Sequence, residues 1–144
     1  IKSLLNNEAI LIRNPNAIRP WQHVLEPLSG YIMLAEHLYK DGTDFAEAWN
    51  FGPDDADAKT VEWVVRTMCQ KWGGSADFEI VEGNHPHEAQ YLKLDCSKAR
   101  LRLNWHPKWN VEQSIDKVIE WTHAYRQGKP VREVCLKQID SHNS

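Results

Sequence analysis

Segments with the periodicity of α-helices alternate along this chain with short runs typical of β-strands, and this alternation constrains the fold most strongly. Helical spacing of apolar residues is found in 27–39, 61–72 and 110–128. Short strands are predicted at 10–12, at 22–24 and within the stretches EAWNFGP and DFEIV. Alternating helices and strands favour an α/β fold. Because so few short strands rarely make a self-standing sheet, we expect part of a larger α/β protein that leaves one apolar face for a missing partner domain.

Each helical segment carries one apolar stripe. The three stripes are Leu28, Ile32 (or Tyr31), Ala35 and Leu38; Val61, Val64, Val65, Met68 and Trp72; and Val111, Ile115, Val118, Ile119 and Thr122. Gly73 and Gly74 end the second helix. A short extended piece is predicted in YLKLD, followed by a short helix that ends at Leu103. The tail from Pro130 has some alternation but no clear register.

The start of the chain also indicates a piece of a longer protein. The sequence opens at Ile1 without an initiator methionine, and its first residues, to about Leu5, have the pattern of the end of a helix. A domain rarely begins with the last turn of a helix. We therefore expect the C-terminal portion of a longer chain, with 1–144 as one unit.

Charge and composition exclude several classes of protein. A net charge of −3 without a long basic run gives no general attraction to nucleic acid. No apolar run is long enough to span a bilayer, and no signal peptide is recognisable. Three widely spaced cysteines without CxxC spacing are typical of reduced thiols. The sequence predicts a cytoplasmic protein that binds neither membrane nor nucleic acid.

Motifs for nucleotides, nucleophiles and metals are missing or weak. The chain has no GxGxxG, GxxxxGKS or GxSxG pattern. The run HPHE places His85, His87 and Glu88 together, which could suit a metal ion. Pro86 disfavours the regular strand that would put both histidines on one face, and spacing fixes no further ligand. We predict no metal site and interpret this run as an exposed polar loop.

The stretch RPWQHV raises the question of a binding site. Trp63, Trp72 and Trp121 lie on predicted helices, and Trp105 and Trp109 flank a turn, so packing roles are expected for them. Trp21 instead stands beside Arg19, between Pro20 and a polar pair. From the residues alone, Arg19 could either bind a phosphate group or pair with a carboxylate at a surface turn.

Several segments, taken in order, resemble extended short-chain dehydrogenase/reductases that act on nucleotide sugars. They are ILIRNPNAIRPWQHVLEPLSGYIMLAEHL, AEAWNFGP, HPHEAQYLKLDCSKARLRLNWHPKW and SIDKVIEW. Within that superfamily the closest resemblance is to the CDP-glucose 4,6-dehydratase family, and it covers almost the whole chain. It implies the C-terminal, substrate-binding part of a Rossmann-type enzyme whose NAD-binding core is mostly missing here.

The resemblance also implies a reaction for the intact enzyme. CDP-glucose becomes CDP-4-keto-6-deoxyglucose, with oxidation at C4, loss of water across C5–C6 and return of hydride to C6. NAD serves as the internal hydride carrier and is bound by the N-terminal domain. A homodimer is implied for the intact protein. No catalytic residue is expected in this chain: Tyr125 and Lys129 match the superfamily's Tyr-x-x-x-Lys spacing, but Gly128 and Pro130 bracket the lysine, so the helix should already have ended.

The resemblance carries over to particular residues. Arg19 would reach the diphosphate, with Pro20 and Trp21 holding the backbone so that the guanidinium points into the cleft. The strand that ends at Ile12 and Arg13 would flank the nucleotide base. His85, or its neighbour His87, stands where many relatives have a second phosphate-binding arginine. The candidate substrate-binding residues are Ile12, Arg13, Arg19, Trp21, His23, His85 and His87.

Two other classes of function remain open at this point. One is a related nucleotide-sugar epimerase, or a dehydratase for another nucleotide, since C-terminal halves within the superfamily look alike. The other is a non-catalytic interaction module. Under the first interpretation the 144 residues alone would be inactive, because the NAD loop and an embedded Tyr-Lys pair are absent.

Overall fold

The structure is a computed structural model that describes residues 1–81 and 89–144. Its elements are, in chain order, α1 (Lys2–Asn6), β1 (Ile10–Ile12), β2 (Ile18–Pro20), α2 (Leu25–Asp41), β3 (Ala58–Thr60), α3 (Val61–Trp72), β4 (Phe78–Ile80), α4 (Ser97–Leu103), α5 (Val111–Arg126) and α6 (Val131–Asn143). Short 3-10 turns occupy Gly42–Phe45 and Asp55–Asp57. The predicted α/β mixture of helices and short strands is confirmed. No helix in the described ranges has the length and apolar character needed to cross a bilayer.

The strands form small pairs. β1 and β4 are parallel, with Ile12 opposite Ile80. β2 and β3 are antiparallel, with Arg19 opposite Lys59. A single parallel bridge joins Tyr91 to Ile18. Each of the two sheets therefore takes one strand from the stretch 10–20.

Two predicted strands are wrong. The strand expected at 22–24 lies upstream, as β2, and the stretch EAWNFGP has no strand. The physical reason is that a side chain, not a backbone ladder, joins these two segments. The Gln22 amide Nε2 donates a hydrogen bond to the Phe51 carbonyl at 2.9 Å. Phe51 is nevertheless buried, as its apolar character suggested.

Side-chain caps fix the starts of α3 and α5, which pack against each other. The Thr60 hydroxyl accepts a hydrogen bond from the Trp63 amide at 3.2 Å at the start of α3. Asn110 and Gln113 form a reciprocal capping box at the start of α5. Both helices begin where their apolar stripes begin. The stripe predicted on α5 is buried at four of its five positions, Val111, Ile115, Ile119 and Thr122.

Much of the buried apolar core of the described residues falls into two clusters. One is centred on Phe51, Cys96, Ala99, Leu103 and Trp105, and the other on Val64, Val111, Ile115 and Ile119. Trp21 packs against the second cluster. Since Trp21 packs against the second cluster and Gln22 bonds the backbone of Phe51 in the first, both clusters hold the segment 18–26.

Helix α6 was not predicted, because its buried side is polar. Gln138 and His142 are its buried residues, so an apolar period does not reveal the helix. The Gln138 amide Nε2 donates to the Lys117 carbonyl at 2.9 Å and to the Glu120 carboxylate at 3.1 Å. These bonds hold α6 against α5.

The stripe predicted on α2 lies on the outside of the described structure. Leu28, Ile32 and Leu38 are exposed, whereas the opposite side of the helix packs Gly30, Met33 and Leu34 toward the core. Helix α2 is therefore apolar on both sides. The partner domain itself stays a prediction.

Replacing Gly30 with alanine is expected to lower the free energy of unfolding by about 1–3 kcal/mol. A Cβ at Gly30 would stand 2.2 Å from Cδ1 of the Phe51 ring, so α2 or the ring must move. Urea denaturation of wild type and Gly30→Ala measures the change. The double variant Gly30→Ala/Phe51→Leu should lose less free energy of unfolding than the sum of the two single losses. Two losses that simply add would contradict the clash between the Cβ and the Phe51 ring.

Candidate functional site

Arg19 lies in the middle of β2, in the short sheet that β2 forms with β3. Its backbone is paired opposite Lys59, and its guanidinium Nη1 donates to the Ile18 carbonyl at 2.9 Å. The side chain is half-buried. A strand residue held by ladder bonds presents its side chain from a fixed position, which suits a group meant to meet a ligand.

Trp21 anchors the end of β2. Its indole Nε1 donates to the Lys59 carbonyl at 3.0 Å, and its backbone amide donates to the Arg19 carbonyl at 3.0 Å. The ring is half-buried against the cluster of α3 and α5. Trp21 is thus bonded to β3 and to Arg19, while its role in presenting Arg19 and its contact with a ligand stay predictions.

His23 is a buried side chain at the start of α2. Its Nδ1 accepts a hydrogen bond from the Leu25 amide at 3.3 Å, and its ring meets Trp109 edge-on at 5.1 Å. Burial lowers the pKa of His23 below its ordinary value of 6.5, and the nearby Glu26 carboxylate opposes part of that shift. His23 therefore packs as a neutral ring at neutral pH, and a direct contact with substrate stays a prediction.

Ile12 and Arg13 lie at the end of β1, beside one end of the segment 82–88. The Ile12 side chain is buried, so only its backbone could face a ligand, whereas Arg13 is exposed. The Val81 amide donates to the Ile12 carbonyl at 2.8 Å. The strand that was predicted to flank the base thus leads directly to one boundary of that segment.

The other boundary of 82–88 is bound to β2. The Ile18 amide donates to the Gln90 carbonyl at 2.8 Å, and the Leu92 amide donates to the Ile18 carbonyl at 3.1 Å. The described residues on either side of 82–88 are therefore bonded to Ile12 and to Ile18. His85 and His87, together with the HPHE run, lie outside the described residues.

Sequence reasoning missed a buried polar cluster that holds the start of α2 in place. The Glu26 carboxylate is fully buried and accepts hydrogen bonds from the Lys108 amide at 2.9 Å and the Trp109 amide at 3.0 Å. It also bonds His142 Nε2 at 3.0 Å. Its only sequence signal was an acidic residue in the first turn of α2, and the partner on α6 could not be found without that helix.

Two other expectations about chemistry can be compared with the structure. Helix α5 ends at Arg126, so Lys129 lies beyond it and the Tyr125–Lys129 pair is not embedded in a helix. Within the described ranges, no group of three or more His, Cys, Asp or Glu side chains is placed to hold a metal ion. Cys69, Cys96 and Cys135 are all free thiols.

The fold and this arrangement define a partial α/β unit in which the arginine-bearing strand β2 belongs to one of two short sheets. No protein-family model matches the chain. Over all of its 144 residues the chain is 49% identical to the CDP-glucose 4,6-dehydratase of Salmonella typhimurium. It spans 40% of that protein's length, and the match falls in its C-terminal part. The resemblance inferred from the sequence segments is confirmed.

Proposed function

We propose that this chain is the C-terminal, nucleotide-sugar-binding portion of a dehydratase that converts CDP-glucose to CDP-4-keto-6-deoxyglucose. The observation that carries the proposal is the 49% identity over the whole chain. Identity at this level over all elements supports a shared fold and a shared substrate class. The intact enzyme would be a lyase of the extended short-chain dehydrogenase/reductase type.

The proposed task of this portion is to hold the CDP-sugar. Arg19 would bind diphosphate oxygens through its planar fork of donors, and each charge-assisted hydrogen bond of this kind contributes about 1.5–3 kcal/mol. The ladder to β3 and the Trp21 indole bond support this role, because they fix the backbone beneath Arg19. The backbone at Ile12 and the Arg13 side chain would lie along the base, with His85 or His87 near the phosphates.

NAD would be the hydride carrier of the intact enzyme, but the residues of this chain do not suit its binding. A pyrophosphate needs a glycine turn that opens a helix N-terminus. Gly42 and Gly73 instead follow the C-termini of α2 and α3. The cofactor is therefore assigned to the part of the enzyme outside this chain.

The assembly and the compartment follow the same proposal. The intact enzyme would form a homodimer, and it would work in the cytoplasm, where nucleotide sugars are made and thiols stay reduced. Three free cysteines, one of them exposed, support a reducing compartment.

Replacing Arg19 with alanine in the intact enzyme is expected to weaken CDP-glucose binding by about 10- to 100-fold, from the loss of a charged contact. NAD affinity should hardly change, since the cofactor is held elsewhere. Titration of CDP-glucose into wild type and Arg19→Ala at fixed salt measures the effect. Competition with CDP, UDP, GDP and dTDP on the wild-type enzyme tests the nucleotide separately.

Arg19→Lys is the matched variant. An ammonium keeps the charge but cannot form a bidentate fork, so only part of the affinity should return. If Arg19 forms a surface ion pair instead, Arg19→Ala should leave the dissociation constant unchanged and alter stability slightly. Equal dissociation constants would remove Arg19 from the site.

The 144-residue chain by itself is expected to show no CDP-glucose dehydration, even with NAD added. The glycine-rich NAD loop is absent from its sequence, and Lys129 lies beyond the end of α5. Product formation can be followed by the absorbance of the 4-keto sugar in alkali. Turnover by the purified chain would show that these residues contain a catalytic centre after all.

A further inference from the structure

The last turn of α6 is bonded to the first turn of α2 by a buried polar contact. His142 is 3% exposed and Glu26 is fully buried, and their side chains meet at 3.0 Å through His142 Nε2. An ionised carboxylate only accepts hydrogen bonds, so Nε2 carries the proton and donates it. The Lys108 ammonium donates to the His142 carbonyl at 2.6 Å and fixes the backbone of the same turn.

A second route from α6 to the same place runs through the indole of Trp109. This ring meets His142 edge-on with 4.9 Å between the ring centroids, and it meets His23 edge-on with 5.1 Å. None of the three residues is more than 9% exposed. A side chain removed from such packing leaves its neighbours without contacts on one side. Loss of the His142 ring would therefore loosen Trp109 and, through it, His23.

Both routes end on the short stretch that follows Arg19. The Glu26 amide donates to the His23 carbonyl at 3.1 Å, and the Trp21 amide donates to the Arg19 carbonyl at 3.0 Å. Only the residues 20–22 separate Arg19 from His23. A displacement of His23 is thus passed along a hydrogen-bonded stretch that is too short to absorb it.

The upstream half of the segment 18–26 has different anchors. The Trp21 indole donates to the Lys59 carbonyl at 3.0 Å, and the Gln22 amide Nε2 donates to the Phe51 carbonyl at 2.9 Å. These contacts belong to β3 and to the first core cluster. The downstream half, in contrast, is held by the contacts that lead to α6, so the direction of the segment depends on both sets of anchors.

We propose that His142 is a positioning residue that holds the segment presenting Arg19. It acts through Glu26 and Trp109 and does not itself meet the ligand. The inference rests on the proposed function, in which Arg19 binds the diphosphate of the CDP-sugar. A planar guanidinium fork depends on direction as well as on charge, so a small shift of its backbone weakens the bonds that it forms. Helix α6 would in this way set the affinity for the substrate.

Replacing His142 with alanine in the full-length protein is expected to weaken CDP-glucose binding by about 3- to 30-fold. KM should rise with the dissociation constant while kcat stays within about twofold, because a grip on the diphosphate acts equally on bound substrate and transition state. His142→Gln should return most of the affinity, since its amide can donate to Glu26. If His142→Ala does not fold, His142→Leu takes its place with the same expectation, because leucine fills the space without a donor.

Gln138→Ala is the matched control on the same helix. Gln138 is 5% exposed and donates to the Lys117 carbonyl and the Glu120 carboxylate, so alanine removes buried polar contacts of α6 that do not lead to Glu26. Its dissociation constant for CDP-glucose should stay within about twofold of wild type. Urea denaturation of each variant gives the loss of stability. Equal losses of affinity at His142 and Gln138 for equal losses of stability would reduce His142 to a structural role and overturn the inference.

The double variant Arg19→Ala/His142→Ala separates this inference from the proposed function. If His142 acts through Arg19, the double variant should bind CDP-glucose hardly more weakly than Arg19→Ala alone. An unchanged dissociation constant in Arg19→Ala would remove the proposed role of Arg19, and the inference with it. A loss of affinity in Arg19→Ala with none in His142→Ala, or two losses that simply add, would overturn the positioning role and leave the proposed function standing.

Discussion

Replacing Glu26 with alanine is expected to lower the free energy of unfolding by about 3–5 kcal/mol, which is the usual cost of breaking a buried polar pair from one side. The carboxylate is fully buried and serves three groups: the Lys108 amide, the Trp109 amide and His142 Nε2. Alanine leaves all three without their acceptor inside the protein. Urea or thermal denaturation of the purified protein measures the loss.

A graded series separates the hydrogen bonds from the volume of the side chain. Glu26→Gln keeps the shape but turns one acceptor oxygen into a donor, so we expect a loss of about 1–3 kcal/mol. Glu36→Ala is the matched control, because Glu36 lies on the same helix with its side chain 64% exposed. Its effect should stay within about 0.5 kcal/mol. Equal effects at the two positions would mean that the Glu26 cluster contributes no stability.

The cluster also shows how far sequence reasoning reaches. Helices α2, α3 and α5 were predictable because apolar residues at helical spacing mark them, and β1 and β4 because short apolar runs end in polar turns. Helix α6 was not, since the residues that bury it are Gln138 and His142. A polar contact leaves no period in the sequence, so neither the helix nor the acceptor it meets could be deduced.

The candidate site was only partly predictable for a related reason. Arg19 and Trp21 were singled out by local composition, and their roles toward a ligand stay predictions. The approach of β1 to β4, and of Ile18 to Gln90, depends on pairings between residues far apart in the chain. Local patterns do not specify such partners. The position of β2 was missed because Pro20, which lacks an amide donor, weakens the strand pattern of 18–20, although the end of an edge strand tolerates proline.

Replacing Trp105 with alanine is expected to cost about 3–5 kcal/mol, as large core truncations do. Trp105 is 2% exposed, and its ring meets Phe51 edge-on at 5.1 Å. Its indole Nε1 donates to the Ser29 hydroxyl at 3.0 Å, and that hydroxyl donates to the Glu26 carbonyl at 2.7 Å. The change therefore removes both the filling of one core cluster and a bond that joins the segment before α5 to α2.

Trp105→Phe distinguishes these two contributions, since phenylalanine keeps part of the ring volume but has no indole donor. We expect it to cost about 1–2 kcal/mol, from the lost bond to Ser29 and imperfect packing. Leu101→Ala on the neighbouring helix α4 is the control, because Leu101 is 84% exposed and should change stability by less than about 0.5 kcal/mol. If Trp105→Ala lowered the free energy of unfolding no more than Trp105→Phe, the volume of the ring would contribute nothing to stability. The cluster around Phe51 could then not be what fixes α2 and the segment 18–26.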